Sequence, residues 1–221
     1  MPNSYAQRVP SFDLVIFDCD GVLIDSERLA VRTEAEILNS LGWPLEESEI
    51  KERFLGRSPA YMQEVVGIEI GRKVNWALEF EAKYREVFTA ELVPVPGVLA
   101  ALEAIDVMIC VASSSTHEML RFSLGLVGLY DRFEGRVFSA EDVVHGKPAP
   151  DLFLYAAASL GVEPSRCAVI EDSPSGVAAG VAAGMRVYGF AGGVTTAEKL
   201  ERPGVRVFTD MLDLPAMLGV G

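Results

Sequence analysis

The sequence predicts an α/β domain with a parallel β-sheet, into which a second, wholly helical domain is inserted. Two observations lead to this fold class. Short, continuously apolar segments rich in Val and Ile recur along the chain with helical patterns between them, which is typical of parallel strands buried on both faces. One long segment interrupts the alternation, because it carries helical periods and no apolar run of strand length.

The elements of the α/β domain follow in order. The predicted strands are LVIF (14–17), MICVAS (108–113), CAVIE (167–171) and MRVYGF (185–190). Helical patterns cover 118–126, the segment 151–161, which ends in a Gly suited to the position after a helix, and the segment 173–184, which opens with Ser-Pro and closes with Gly. We predict a Rossmann-like core domain from residues 12–25 and 94–221, with residues 1–11 as an N-terminal extension.

The inserted segment, residues 26–93, is predicted to form a helical cap domain. Its first helix carries apolar residues on one face ahead of Gly42, namely Leu29, Ile37, Leu38 and Leu41. Ser58 and Pro59 are typical of the N-cap and first residue of a second helix. Helical periods continue over 72–90, and the sequence VPVPG (93–97) marks the return to the core domain.

Composition and charge exclude several classes of protein. No stretch approaches the roughly 20 apolar residues of a membrane span, and residues 1–11 lack the apolar segment of a secretion signal, so the cytoplasm is the expected location. The net charge of −13 repels polyanions, so neither nucleic acid nor an anionic membrane is an expected partner. The cysteines Cys19, Cys110 and Cys167 are odd in number and far apart, which favours reduced core residues. The sequence makes no prediction of the oligomeric state.

Polar residues follow the predicted strands at the point where each strand ends. Asp18 and Asp20 come after the first strand and Glu171 and Asp172 after a later one, while the loop GKPAPD contributes Lys147. Ligands of open parallel sheets bind beyond the carboxyl ends of the strands, so these groups are expected to meet. Four neighbouring carboxylates repel one another unless a divalent cation joins them, and an all-oxygen set suits Mg²⁺.

Each of these elements alone has a structural explanation. A single DxDG sequence is as often a turn that ends a strand, and SSST (113–116) is most often a helix N-cap. A lysine before proline is usually a solvated loop residue, and adjacent acids before SPSG favour a helix N-terminus. The combination is more specific than its parts, because every element falls at the same edge of the predicted sheet.

Four segments together identify a resemblance to a known family. DCDGVLIDSE (18–27), VASSS (111–115), GKPAPDLF (146–153) and VIEDSPSGVAAGVAAGM (169–185) resemble the four motifs of the haloacid dehalogenase-like superfamily of phosphotransferases. The resemblance is greatest to the branch that contains β-phosphoglucomutase and small phosphosugar phosphatases. It covers nearly the whole chain from Phe12 to about Phe190, and includes the cap.

The resemblance implies a role for each motif residue. Asp18 would be the nucleophile that forms an aspartyl-phosphate, and Asp20 the general acid and then the base. Phosphoryl oxygens would be held by Ser113, Ser114 and Lys147. Mg²⁺ would be bound by the Asp18 carboxylate, the Asp20 carbonyl oxygen and Asp172, with help from Glu171. The implied substrate is a small phosphorylated metabolite, such as a sugar or sugar acid phosphate.

Three departures from the mutase pattern favour a hydrolase. By register, Ala30 stands where β-phosphoglucomutases have a histidine, Pro59 where they have a cap arginine, and Thr116 where they have a lysine. Arg57 is a candidate to replace that arginine and bind the substrate, so a mutase is the alternative. Arg28, Arg32 and Arg53 are further cap residues that are candidates to bind the substrate. A phosphate-accepting signalling module is a third hypothesis, but such modules need neither an acid at the position of Asp20 nor a helical cap.

Overall fold

The computed structural model describes residues 12–54 and 59–219, without the side chains of residues 59 and 60. A six-stranded sheet forms the centre of the molecule, with all neighbouring strands parallel and in the order β3-β2-β1-β4-β5-β6. The strands are β1 (Leu14–Phe17), β2 (Met108–Ser113), β3 (Val137–Ser139), β4 (Cys167–Glu171), β5 (Arg186–Phe190) and β6 (Arg206–Phe208). The α/β prediction and its four strands are confirmed, whereas β3 and β6 were not predicted.

The described residues between β1 and the return of the chain to the sheet form helices. They are α1 (Ser26–Ser40), α2 (Glu47–Arg53), α3 (Pro59–Glu69) and α4 (Ala82–Glu91), and a π-helical turn (Ala77–Glu81) leads directly into α4. The predicted N-cap of α3, Ser58, lies outside the described residues. The described part of this segment contains no strand, as the lack of an apolar run predicts.

The remaining helices cover both faces of the sheet. They are α5 (Val98–Ala104), α6 (His117–Leu126), α7 (Asp151–Ser159), α8 (Pro174–Ala182), α9 (Ala197–Leu200) and α10 (Leu214–Leu218). The predicted end signals are confirmed: Ser173 accepts a hydrogen bond from the Gly176 amide at the start of α8, Thr116 does the same for α6, and Gly161 follows α7 with positive φ. No helix in the described part of the chain is both long and apolar enough to span a membrane.

The apolar side chains form separate cores. Alternate residues of β1 enter opposite sides of the sheet: Val15 and Phe17 pack with α5, α6 and α10, and Leu14 and Ile16 pack with α7, α8 and α9. Helices α1 to α3 and the π-helical turn enclose a third core that contains Leu38, among others. Because this core is separate, we propose that residues 26–93 form the cap domain and the flanking segments the core domain.

Two antiparallel chain segments connect the sheet to the inserted helices. The Asp25 amide donates to the Val93 carbonyl oxygen (3.0 Å), and the Val95 amide donates to the Leu23 carbonyl oxygen (3.1 Å). The inserted helices therefore enter and leave at one place, beside the carboxyl end of β1. The sheet order also reverses at β1, with β2 on one side and β4 on the other, which is where open α/β sheets bind ligands.

Candidate functional site

The chain turns sharply at the end of β1. The amides of Leu23 and Ile24 both donate to the Cys19 carbonyl oxygen, and Gly21 has a φ of 76°. A Cβ on Gly21 would overlap the Asp172 carboxylate, so only glycine allows the turn to approach β4 this closely. The turn brings the β1 motif against the carboxylates that follow β4.

Asp18 and Asp20 point to different partners. Asp18 Oδ1 accepts a hydrogen bond from Lys147 Nζ (2.7 Å). Asp20 instead accepts from the Ser26 hydroxyl (2.7 Å to Oδ1) and the Ser115 hydroxyl (2.9 Å to Oδ2). The acids whose oxygens lie within 4.8 Å of one another are Asp18, Glu171 and Asp172, while hydroxyl groups hold the Asp20 carboxylate.

Lys147 connects the loop before α7 to the ends of three strands. Its ammonium group donates to Asp18 Oδ1 (2.7 Å), to Glu171 Oε1 (2.7 Å) and to the Ala112 carbonyl oxygen (3.0 Å). Only 3% of the side chain is exposed. Burial alone would lower the pKa of Lys147, but the charges of Asp18 and Glu171 outweigh it and raise the pKa, so the group stays an ammonium.

Glu171 and Asp172 differ in how well their oxygens are satisfied. Glu171 is fully buried, and its Oε1 accepts from Lys147 while its Oε2 accepts from the Ser173 amide and hydroxyl (both 2.8 Å). Asp172 is 1% exposed, and its Oδ2 has no donor among the described residues. Glu27, from the first turn of α1, lies against Asp172 with a buried Oε2 that also has no described donor.

The buried carboxyl groups repel one another. Burial raises the pKa of Asp18 to about 7 against the opposing charge of Lys147. Burial also raises the pKa of Glu27 to about 8, and together with the Glu27 charge it raises the pKa of Asp172 well above its usual range. Without a cation, burial and mutual repulsion therefore favour the protonated forms of Glu27 and Asp172.

This donor set fits a divalent, oxygen-seeking cation. One carboxylate oxygen from each of Asp18, Glu171 and Asp172 lies within 4.8 Å of the others. The unpartnered Asp172 oxygen and the repulsion among the acids are the features that a bound cation would relieve, and all donors are hard oxygens, as Mg²⁺ prefers. Glu27 lies beside this cluster, against Asp172.

The serines after β2 form the opposite wall of the site. Ser113 is 1% exposed, and its hydroxyl accepts from the Ser115 amide (3.1 Å). Ser139, at the end of β3, donates to the Ser115 carbonyl oxygen (2.7 Å) and so fixes this loop from the neighbouring strand. Ser114 is exposed and makes no side-chain hydrogen bond to another described residue, which leaves its hydroxyl open to a ligand.

Comparison with known proteins identifies the family. The haloacid dehalogenase-like hydrolases match residues 12–184. The chain belongs to this family. A 6-phosphogluconate phosphatase of Escherichia coli (strain K12) is 30% identical over 208 residues, which cover 93% of this chain and 94% of that protein.

Two further relatives share most of the chain. Hexitol phosphatase B of Escherichia coli (strain K12) is 33% identical over 187 residues, which cover 77% of this chain and 80% of that protein. A solved haloacid dehalogenase family hydrolase of Deinococcus radiodurans, with bound phosphate and sodium, is 31% identical with a TM-score of 0.79, and the match covers 95% of this chain and 96% of that one. The resemblance predicted from the four motifs is confirmed.

The haloacid dehalogenase-like motifs meet at one edge of the sheet. Asp18, Lys147, Glu171 and Asp172 form one connected cluster, and Ser115 links the serine loop to Asp20. The roles assigned to these residues stay predictions. Arg57 lies outside the described residues. The other cap arginines have local partners: Arg28 pairs with Asp25, Arg32 with Glu91, and Arg53 lies over the Trp43 ring.

Three residues without a predicted role contact the site, namely Ser26, Glu27 and Ser115. Ser115 directly follows the predicted phosphate-binding serines, and Ser26 and Glu27 are the last two residues of the motif DCDGVLIDSE. All three residues therefore lie within the quoted motifs. The contacts of Ser26 and Glu27 depend on the turn that returns the start of α1 to the sheet edge, and the contact of Ser115 depends on the path of the loop after β2. Asp25 and Ser26 are themselves a sequence signal for the start of α1, because Ser directly after Asp is typical of a helix N-terminus.

Proposed function

We propose that the chain is a Mg²⁺-dependent phosphatase that hydrolyses small phosphomonoesters, phosphorylated sugars and related polyols, through an aspartyl-phosphate on Asp18. The observation that carries the proposal is the separation of the two motif aspartates. Asp18 lies buried beside an ammonium group, and Asp20 is held two residues away by hydroxyl groups. Two carboxyl groups in such different environments suit two different chemical roles.

Asp18 is placed to act as the nucleophile. Lys147 occupies its Oδ1, while Oδ2 has no hydrogen bond to a described residue and the side chain keeps 10% exposure. In the first step Oδ2 bonds to phosphorus as the bond to the leaving oxygen breaks. In the second step a water oxygen bonds to phosphorus, the Asp18–phosphorus bond breaks, and inorganic phosphate leaves.

Asp20 moves the proton in both steps. As general acid it protonates the leaving oxygen, and the resulting carboxylate then removes the proton of the attacking water, so the cycle returns the group to its initial state. Ser26 belongs to α1 and Ser115 to the loop after β2. The inserted helices and the core therefore each contribute one hydroxyl group that donates to Asp20. Loss of either hydroxyl would leave Asp20 less well oriented.

The phosphoryl oxygens meet donors from two loops. Lys147 supplies a fixed positive charge, and Ser113 and Ser114 supply hydroxyl and amide groups. Mg²⁺ held by Asp18 and Asp172, with Glu171 beside them, would neutralise charge on the phosphoryl oxygens. The phosphate bound in the Deinococcus radiodurans relative is in keeping with a phosphoryl site in this fold.

The substrate class follows from the relatives and the cap. Relatives that span most of the chain are named for 6-phosphogluconate and for hexitol phosphates, which are phosphorylated carbohydrate derivatives. A mutase needs polar groups that reorient a bisphosphate, and two of the expected positions offer none. Ala30 of the cap has no polar atom, and Thr116 Oγ1, in the core domain, accepts from the Met119 amide as a helix cap. We therefore favour hydrolysis over isomerisation and over a stable phosphate-accepting switch.

A single set of measurements tests this function. Phosphate release from a panel of phosphorylated sugars, polyols and sugar acids, with an aryl phosphate included, is measured with Mg²⁺ and after chelation. We expect turnover that requires Mg²⁺ and that Asp18→Asn abolishes, because a neutral amide is a poor nucleophile. Asp106→Asn, an exposed carboxylate far along the sequence, is the matched control. Near-normal activity of Asp18→Asn or of chelated enzyme would contradict the proposal.

A further inference from the structure

One face of α1 runs from the acid cluster into the cap. Glu27 lies against Asp172, and Glu34 follows it by seven residues, which places both on the same side of the helix about 10 Å apart along its axis. Ala30 lies between them on the same side and carries no polar atom. The start of α1 also contacts Asp20 through Ser26, so a leaving group protonated by Asp20 would extend along this face.

Glu34 and Tyr84 form a polar pair at the far end of that face. The Tyr84 hydroxyl, from α4, donates to Glu34 Oε1 at 2.6 Å. The Tyr84 ring lies among aromatic rings, with centroids 6.2 Å from Trp76 and 6.1 Å from Phe88. Both members of the pair are partly exposed. The Glu34 carboxylate therefore lies beside aromatic rings of the cap and is partly exposed to solvent.

The pair retains unused hydrogen-bonding capacity. A carboxylate accepts up to about four hydrogen bonds, and Tyr84 supplies the one that the described residues make to Glu34. Glu34 Oε2 has no partner among the described residues, and the Tyr84 oxygen can also accept a bond. If the pair only connected α1 to α4, apolar side chains of the same volume would do so without the desolvation of a carboxylate.

The charges around the pair favour neutral hydroxyl groups. Burial raises the pKa of Glu34 to about 7, and the Tyr84 hydrogen bond opposes that rise. No described basic side chain makes an ion pair with Glu34. Six described basic residues of the inserted segment form ion pairs with other acids: Arg28, Arg32, Lys51, Arg72, Lys83 and Arg85. A substrate carboxylate beside Glu34 would be repelled, whereas substrate hydroxyls would donate to it.

We propose that Glu34 and Tyr84 bind the hydroxyl groups of the leaving group, and that the chain therefore prefers the phosphates of uncharged sugars and polyols to the phosphates of sugar acids. This inference rests on the proposed phosphatase function and adds the specificity of its site. Of the 6-phosphogluconate and hexitol phosphatase relatives described above, the inferred specificity is that of the hexitol phosphatase.

The test compares three substrates at pH 8, where Glu34 is mostly ionised. They are sorbitol 6-phosphate, 6-phosphogluconate and p-nitrophenyl phosphate, which has no hydroxyl chain to reach the pair. For the unaltered enzyme we expect a higher kcat/KM with the hexitol phosphate than with the sugar acid. Glu34→Gln should reduce the ratio of these two values by about 10-fold or more, the worth of a hydrogen bond to a charged group. Its kcat/KM for the aryl phosphate should stay within about 2-fold.

Two further variants keep the test decisive. Tyr84→Phe should lower kcat/KM for the hexitol phosphate and leave the aryl phosphate unchanged, and Glu36→Gln, the same charge change on the exposed side of α1, should alter neither. A sugar acid preference in the unaltered enzyme, or a ratio that Glu34→Gln leaves unchanged, would overturn the inference while aryl phosphate turnover upholds the phosphatase function. Absence of turnover on all three substrates would refute the function itself.

Discussion

Replacing Lys147 by methionine removes one buried charge from two carboxylates. The ammonium donates to Asp18 and Glu171 at 2.7 Å each and to the Ala112 carbonyl oxygen at 3.0 Å, and methionine keeps much of the side-chain volume. Removing one partner of a buried ion pair typically lowers the free energy of unfolding by about 3–5 kcal/mol. We expect a loss in that range at pH 8 in metal-free buffer, or a fall in Tm of about 6–20 °C at about 2–4 °C per kcal/mol.

The pH dependence of this loss follows from the carboxyl groups. Burial already raises the pKa of Asp18 to about 7, and Lys147 opposes that rise, so without Lys147 the group takes up a proton at still higher pH. A protonated Asp18 is uncharged, so the loss of the Lys147 ammonium group destabilises it less. The loss of stability in Lys147→Met should therefore be smaller at pH 5.5 than at pH 8.

Urea denaturation followed by circular dichroism measures the effect, with chelator present at both pH values. Lys199→Met changes the same residue type at an exposed position of α9 and should alter the free energy of unfolding by less than about 0.5 kcal/mol. Phosphatase activity should fall by about 10²-fold or more, because a fixed donor to the phosphoryl oxygens is lost. A stability loss below about 1 kcal/mol at pH 8, or one that is larger at pH 5.5, would refute the reasoning.

Three other predictions concern the same site. Because the pKa of Asp18 is raised to about 7 and that of Glu27 to about 8, the metal-free protein should lose stability as pH rises from about 4 to about 8. Mg²⁺ should therefore raise Tm more at pH 8 than at pH 5, and equal shifts of Tm in calorimetry would contradict this. Glu27→Gln gives Asp172 an amide donor and should raise the metal-free Tm at pH 8, with little change at pH 5; a lower Tm at pH 8 would count against the repulsion. Asp20→Asn should slow hydrolysis of sugar phosphates by about 10²–10⁴-fold and of an aryl phosphate much less, since a phenolate leaves without a proton; equal losses would remove the acid role.

The sequence predicted the elements whose signal is local. Segments such as Leu14–Phe17 and Cys167–Glu171 are apolar throughout because both of their faces are buried, and the structure has strands at both. The strands at the two edges of the sheet, Val137–Ser139 and Arg206–Phe208, have three residues each and are buried only in part. So short and mixed a pattern cannot be distinguished from a loop without the neighbouring strand that pairs with it.

The site was predictable to the extent that parallel strands bring their carboxyl ends together. That rule places Asp18, Ser113 and Glu171 at one edge with no knowledge of the loops. Contacts made by residues beyond the strands depend on the path of each loop, and for this reason the position of Glu27 against Asp172 and the link from Ser115 to Asp20 were not predicted. The Glu27 contact depends on where α1 begins beside β1, and the Ser115 contact depends on the path of the loop after β2.

The path of the chain after β1 also explains how two aspartates remain so close in sequence. In an extended strand, residues two apart point to the same side, and Asp18 and Asp20 would then compete for one cation. The turn at Gly21 ends the strand first, so Asp18 stays with Lys147 while Asp20 reaches the hydroxyls of Ser26 and Ser115. The Asp20 charge still contributes to the raised pKa of Asp18. The tight turn therefore gives the two carboxyl groups separate partners. The proposed roles of nucleophile and general acid need such different surroundings.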